Sequence, residues 1–168
     1  MTDKLTIDSL RAAIKETRND DDIRQNERFE LMARRFEMAV RHLVEQIRKM
    51  VDQVPELAIE FEDEVETFTA PGFPGKTIEI HDQRLRITHG EDFILFDPTA
   101  KALLSAMGQV EIAASKPIPF MVENILYLIP GGKGARWGYR SIDDLGGPLK
   151  PFGQQDLLRL LHTVFAAD

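Results

Sequence analysis

The feature that most constrains the fold is a long helical repeat of apolar side chains in the first third of the chain. Large apolar residues recur every three or four positions: Phe29, Met32, Phe36, Val40, Leu43, Ile47, Met50 and Val54. Residues 22–54 contain no glycine or proline, and Pro55 ends the pattern because the residue before a proline avoids the α conformation. The spacing predicts one amphipathic helix that, at 1.5 Å per residue, is about 50 Å long.

A shorter helix is predicted before the long one. Ile7, Leu10 and Ile14 have helical spacing, and Thr6 or Asp8 can cap the free amides of the first turn. The run Asn-Asp-Asp-Asp at residues 19–22 is expected to break this helix, because its side chains compete for backbone hydrogen bonds. We therefore expect two helices in residues 1–54, which form a helical arm.

The apolar stripe of the long helix is expected to need more cover than a small sheet provides. Strands in such sheets span roughly 15–20 Å, well short of the predicted helix. The alternative is packing on the short first helix and one sheet face. We expect instead a coiled-coil-like contact with a second copy, as in a homodimer, or with a partner helix. The predicted interface residues on this helix are Phe29, Met32, Phe36, Val40, Leu43, Ile47 and Met50.

An acidic strip follows the helix and carries nearly all of the net charge of −7. Residues 56–66 contain six Asp or Glu and no Lys or Arg. Apolar and acidic residues alternate there, which favours a half-buried strand over residues 57–68, although a helix also fits. Such a strip is typical of a solvated strand face that discourages edge-to-edge pairing. The sharper alternative is a contact for a basic protein partner through Glu60, Glu62 and Glu64.

The rest of the chain predicts short strands joined by tight turns. After a turn at residues 71–75, strands are predicted at residues 77–81, 84–88, 93–96, 110–113, 125–129 and 136–139. The first two strands would form a hairpin turning at Asp82 and Gln83, and the third would stop at Asp97 and Pro98. A short helix is predicted at residues 99–107.

These patterns together predict an α+β fold. A Gly/Pro-rich loop at residues 146–153 precedes a final helix whose wide apolar face suits packing on a sheet. Short strands in series predict an antiparallel meander and not βαβ units. We therefore expect a helical arm in residues 1–54 and an antiparallel sheet domain in residues 55–168, with the C-terminal helix packed on the sheet.

Composition narrows the possible functions. The chain has no cysteine, which excludes disulfides, thiolate metal sites and a cysteine nucleophile. A pI near 5.2 argues against nucleic-acid binding, which needs clustered Lys and Arg. The sequence contains no run of about 20 apolar residues and no signal-peptide pattern, so we expect cytoplasmic residence and no membrane contact.

The sequence gives only weak evidence for a small-molecule site. Residues 131–136 follow an apolar strand but match neither the Walker pattern nor GxGxxG. His81 and His89 flank the predicted hairpin, where a two-histidine metal site is conceivable, but surface or structural histidines are preferred. The acidic strip lacks EF-hand spacing. We therefore expect no catalytic residue, no cofactor and no metal.

The predicted function is protein–protein interaction. Trp137 and Arg140 are a further predicted contact, since aromatic and Arg residues dominate interface hot spots, although core packing of the tryptophan is favoured. We expect a non-enzymatic accessory subunit, self-associating or docked on a partner through the long helix. The alternative is a small enzyme or ligand-binding domain with a site near residues 131–140, Asp143 and Asp144, and the histidine hairpin.

Overall fold

In the computed structural model, which describes residues 5–100, 108–129 and 136–166, one long helix precedes a sheet and a short C-terminal helix. The elements are α1 (Ile7–Val51), β1 (Ala58–Phe68), β2 (Ile78–His89), β3 (Asp92–Thr99), β4 (Gln109–Ala114), β5 (Ile125–Ile129), β6 (Arg136–Tyr139), β7 (Lys150–Pro151) and α2 (Gln154–Leu161). Each described strand pairs antiparallel with the next, in the order β1 to β7. The predicted α+β class, the antiparallel meander and the C-terminal helix against the sheet are confirmed.

Helix α1 is a single helix of 45 residues where two were predicted. Thr6 caps its first turn: Thr6 Oγ1 accepts from the Ser9 amide at 3.0 Å, and Ser9 Oγ accepts from the Thr6 amide at 2.9 Å. The predicted break at residues 19–22 was wrong. Asn and Asp cost less than about 0.7 kcal/mol each relative to alanine, and a helix nucleated on both sides extends through them cooperatively.

The two halves of α1 lie in different environments. Every residue from 7 to 28 is exposed, whereas one face of the helix is buried from residue 29 onward. The buried face consists of Phe29, Ala33, Phe36, Ala39, Val40, Leu43, Val44, Ile47, Met50 and Val51. The chain's own sheet and C-terminal helix therefore cover the stripe that was expected to need another chain.

A curved sheet explains how one small domain covers so much helix. The Phe36 ring lies 6.1 Å from the ring of Phe68 in β1 and 6.4 Å from that of Trp137 in β6. A flat sheet would hold its first and sixth strands about 24 Å apart. The sheet thus bends around α1 and covers more of the helix than the length of its strands predicts. The residues corrected from interface to core are Phe29, Phe36, Val40, Leu43, Ile47 and Met50, with Met32 half-buried beside them.

Strands β1 and β2 form a ribbon that extends beyond β3. Their register is continuous from the pair Ala58–Thr88 to the pair Phe68–Ile78, whereas β3 pairs with β2 only from Leu85 onward. The strand predicted for residues 57–68 is confirmed. The predicted turn at residues 82–83 was wrong, because both residues pair with β1 inside the ribbon, and this long pairing overrides their turn preference.

The buried face of the ribbon changes side along its length. In β2, Ile80 and Asp82 are buried near one end, and Leu85 and Ile87 near the other. Since side chains alternate along a strand, these two pairs point to opposite faces. Two-stranded ribbons twist strongly, so each end can turn a different face toward the interior. Asp82 lies at the point where the buried face switches.

Three smaller predictions have different outcomes. Strand β3 does not stop at Asp97, because Pro98 continues the pairing opposite Val110 of β4. The strands predicted at residues 110–113, 125–129 and 136–139 are confirmed, and β7 was not predicted. Most of the helix predicted at residues 99–107 lies outside the described residues.

Candidate functional site

The structure separates the predicted pair Trp137 and Arg140. Trp137 is buried, and its Nε1 donates to the Ala39 carbonyl at 3.2 Å. Arg140 is exposed, with its guanidinium 5.8 Å from the Tyr127 ring centre and 3.5 Å from the Glu123 carboxylate. Burial, with a hydrogen bond to Glu123, raises the pKa of Tyr127 to about 12. Arg140 alone of the pair is a surface residue.

The histidine and glycine-loop candidates do not converge on one site. His81 and His89 lie on the same strand, about 26 Å apart at 3.3 Å per residue, so they cannot share a metal ion. Residues 131–135 of the candidate loop lie outside the described residues. Asp143 and Asp144 belong to an exposed 3₁₀ turn, Ile142–Asp144. These positions give no support to the enzyme alternative.

The acidic strip has a balancing charge from the neighbouring strand. Glu60, Glu62 and Glu64 share one face of β1, and Glu64 is half-buried. The guanidinium of Arg84 in β2 lies 3.8 Å from Glu62, 3.3 Å from Glu64 and 3.0 Å from Asp97 of β3. The strip therefore belongs to a network of charges across three strands.

A cluster of three carboxylates lies within this network. One oxygen each from Glu64, Glu66 and Asp82 lies within 4.8 Å of the other two. Residues 64 and 66 are two apart on β1, and Asp82 is the cross-strand partner of Glu64, so all three side chains share one face of the ribbon. The sequence did not identify this cluster, because its three members meet only through the uninterrupted β1–β2 pairing.

Asp82 is the buried member of the carboxylate cluster. Its side chain belongs to a residue only 5% exposed, and no described residue donates a hydrogen bond to either carboxylate oxygen. Burial is the main cause that raises the pKa of Asp82 to about 8, and Glu66, Glu64 and Asp97 add to it. Burial also raises the pKa of Glu64, with Arg84 opposing. At this position a proton or another cation can neutralise the buried charge.

The second surface is the exposed half of α1, residues 7–28. Ile7, Leu10 and Ile14 lie along one side of it and are 73%, 59% and 47% exposed. Basic and acidic residues are interspersed along the segment, with an acidic run at residues 20–22. The sequence shows the spacing of these apolar residues, but the predicted contact surface is the longer stripe downstream of them.

Comparisons with known proteins and a search for membrane spans give no functional assignment. Protein-family models, curated proteins and solved structures yielded no match to this chain. Within the described residues, neither helix combines the length and apolar character needed to cross a bilayer. The two surfaces above therefore provide the structural basis for a functional proposal.

Proposed function

We propose that this chain is a non-enzymatic interaction subunit that self-associates through the exposed half of α1. The observation that carries this proposal is that every residue from 7 to 28 is exposed, along a rod about 33 Å long at 1.5 Å per residue. Most helical stability in proteins comes from packing of an apolar face, and the chain's own core supplies no such packing to this segment. A second chain packed along it would supply that contact.

The apolar side chains of the exposed half have the spacing of a coiled-coil seam. Ile7, Leu10 and Ile14 follow steps of three and four, and Thr17 continues them. Complete burial of an aliphatic side chain contributes roughly 1.5–3 kcal/mol, and a two-fold contact would bury the seam side chains of both copies. Because the loss of translational and rotational freedom opposes association, so short a seam supports a reversible dimer and not an obligate one.

Charge favours a second copy in antiparallel orientation. Residues 7–28 carry nearly equal numbers of basic and acidic side chains, so no strong field of one sign opposes self-association. A parallel pair would bring the two acidic runs at residues 20–22 together. If Ile7 of one copy lies near Thr17 of the other, each acidic run instead lies beside the positive N-terminal end of the other helix.

Analytical ultracentrifugation of the full chain tests this proposal. We expect a monomer–dimer equilibrium over the micromolar range. Leu10→Glu combined with Ile14→Glu should raise the dissociation constant at least about tenfold, because it places charge in the seam. Leu145→Glu is the matched control, since Leu145 is also exposed but lies outside α1. A wild-type monomer at high micromolar concentration, or equal weakening by the control, would contradict the proposal.

The acidic strip supports a second proposed contact, with a basic protein partner. Glu60 and Glu62 are exposed on β1, an edge strand, and Val65 on the other face of that strand is 60% exposed. An edge with exposed carboxylates and an exposed apolar side chain suits a mixed polar contact. A partner captured through this strip should be released by Glu60→Lys combined with Glu62→Lys and by half-molar salt, whereas capture that is unchanged under both conditions would argue against the strip.

A further inference from the structure

We propose that Glu64, Glu66 and Asp82 form a binding site for a divalent cation of the oxygen-preferring class, Ca²⁺ or Mg²⁺. All three donors are carboxylates, which these hard cations favour. Ligand oxygens about 2.1–2.5 Å from a common ion lie roughly 3–5 Å from one another, depending on whether they are adjacent or opposite. The spacing of the three carboxylates, within 4.8 Å, fits that requirement without a change of backbone.

The state of Asp82 is a second observation, separate from the clustering. Its side chain is buried, and neither oxygen accepts a hydrogen bond from a described residue. A buried carboxylate without a partner costs several kcal/mol in proteins and is usually paired with a positive group or a metal ion. The nearby cation, Arg84, contacts Glu62, Glu64 and Asp97 instead. Asp82 is therefore directed into a cluster of negative charge.

Two of the three carboxylates are held in place by contacts outside the cluster. Arg84 Nε lies against Oε1 of Glu64, and the Ala100 amide donates to Oε2 of Glu66 at 3.0 Å. These contacts orient two of the three carboxylates. One oxygen of each of the three carboxylates would form a partial shell that water molecules would complete.

The competing occupant of the cluster is a proton. A protonated Asp82 can donate a hydrogen bond to Glu66, which would satisfy the buried group without a metal. The two occupants predict different responses to added salts. A proton-filled cluster gains nothing specific from a divalent cation, whereas a cation site shows saturable binding that sodium does not reproduce.

Isothermal titration calorimetry on the chelator-treated full chain, with CaCl₂ and MgCl₂ titrated separately, tests this site. We expect saturable binding of one ion per chain. Thermal denaturation should show a higher melting temperature with the divalent salt and no such rise in NaCl of equal ionic strength. Asp82→Asn and Glu66→Gln should each weaken the binding at least about tenfold. Asp63→Asn is the matched control. It removes an acidic group from the same strand, but Asp63 lies on the other face and accepts from Gln83 at 2.8 Å.

Each outcome of this experiment decides the proposal. Unchanged affinity in Asp63→Asn with weakened affinity in Asp82→Asn or Glu66→Gln would support it. No saturable heat with either salt up to about 10 mM, above the dissociation constants of weak calcium sites, would overturn it. If Asp63→Asn weakened cation binding equally, the proposal would be overturned too, because binding would then depend on the general negative charge of the ribbon and not on these three carboxylates. If Asp82→Asn fails to fold, wild type and Glu66→Gln suffice for the comparison.

Discussion

Among single residues, Asp82 makes folding stability depend on pH. Burial first, and then Glu66, Glu64 and Asp97, raise its pKa from 3.8 to about 8. The folded state therefore holds this proton more tightly than the unfolded chain, so the free energy of unfolding falls as pH rises from about 4 to about 8. In chelator, Asp82→Asn should be more stable than wild type at pH 8, with an advantage that grows by at most about 1.4 kcal/mol per pH unit. Urea denaturation at pH 5 and pH 8 measures it.

Asp63→Asn provides the control for this pH dependence. Asp63 is an exposed acidic residue in the same ribbon, so its removal should shift stability by a similar small amount at both pH values. Parallel pH profiles for wild type and Asp82→Asn would contradict the expected cost of the buried charge.

Gly108, just before β4, allows the chain to approach the core closely. A Cβ at this position would overlap the ring of Phe36, which is fully buried and cannot move aside freely. We expect Gly108→Ala to destabilise the protein by about 1–3 kcal/mol through overpacking. Gly72→Ala, where a Cβ has no neighbour within 4 Å, should change stability far less. Equal urea midpoints for the two variants would show that the core accommodates the methyl group.

The relative orientation of the two α1 helices in the proposed dimer can be measured. Asn19→Cys introduces the only cysteine of the chain, on the exposed half of α1, for a spin label. In the antiparallel pair, residue 19 lies opposite residue 5, so the two Cα atoms are about 21 Å apart along the axis. A parallel pair leaves only the interaxial distance of about 8–10 Å. Pulsed dipolar spectroscopy should therefore give the longer separation, and the shorter one would contradict the antiparallel arrangement.

The sequence predicted the type of an element correctly where a local pattern was strong. It placed the ends of elements wrongly where strand pairing or helix cooperativity outweighed the local preference. The apolar period predicted α1 from Phe29 onward, and alternation predicted β1. The acidic run at residues 19–22 and the turn formers Asp82 and Gln83 act locally, whereas helix propagation and the β1–β2 register act over many residues. For the same reason the sequence did not indicate the carboxylate cluster, because Asp82 is distant in sequence from Glu64 and Glu66 and meets them only through that register.

Curvature of the sheet determines which part of α1 belongs to the hydrophobic core. A sequence pattern specifies that a helix face is apolar but not what covers it, because cover depends on contacts between distant strands. Phe36 contacts aromatic rings of both β1 and β6, which no local pattern indicates. One hydrophobic cluster therefore joins α1 from residue 29 onward to the sheet and to α2, and residues 7–28 lie outside it.

This division predicts that stability and self-association respond to different halves of α1. Phe36→Ala should lower the free energy of unfolding by about 3–5 kcal/mol, because it removes a buried ring and leaves a cavity. Leu10→Glu with Ile14→Glu should leave the free energy of unfolding of the monomer nearly unchanged, since both positions are exposed, while it weakens association. Urea denaturation at a concentration where the protein is monomeric separates the two effects. Loss of monomer stability in the double variant would mean that the exposed half packs on its own chain. That result would contradict the proposed dimer seam.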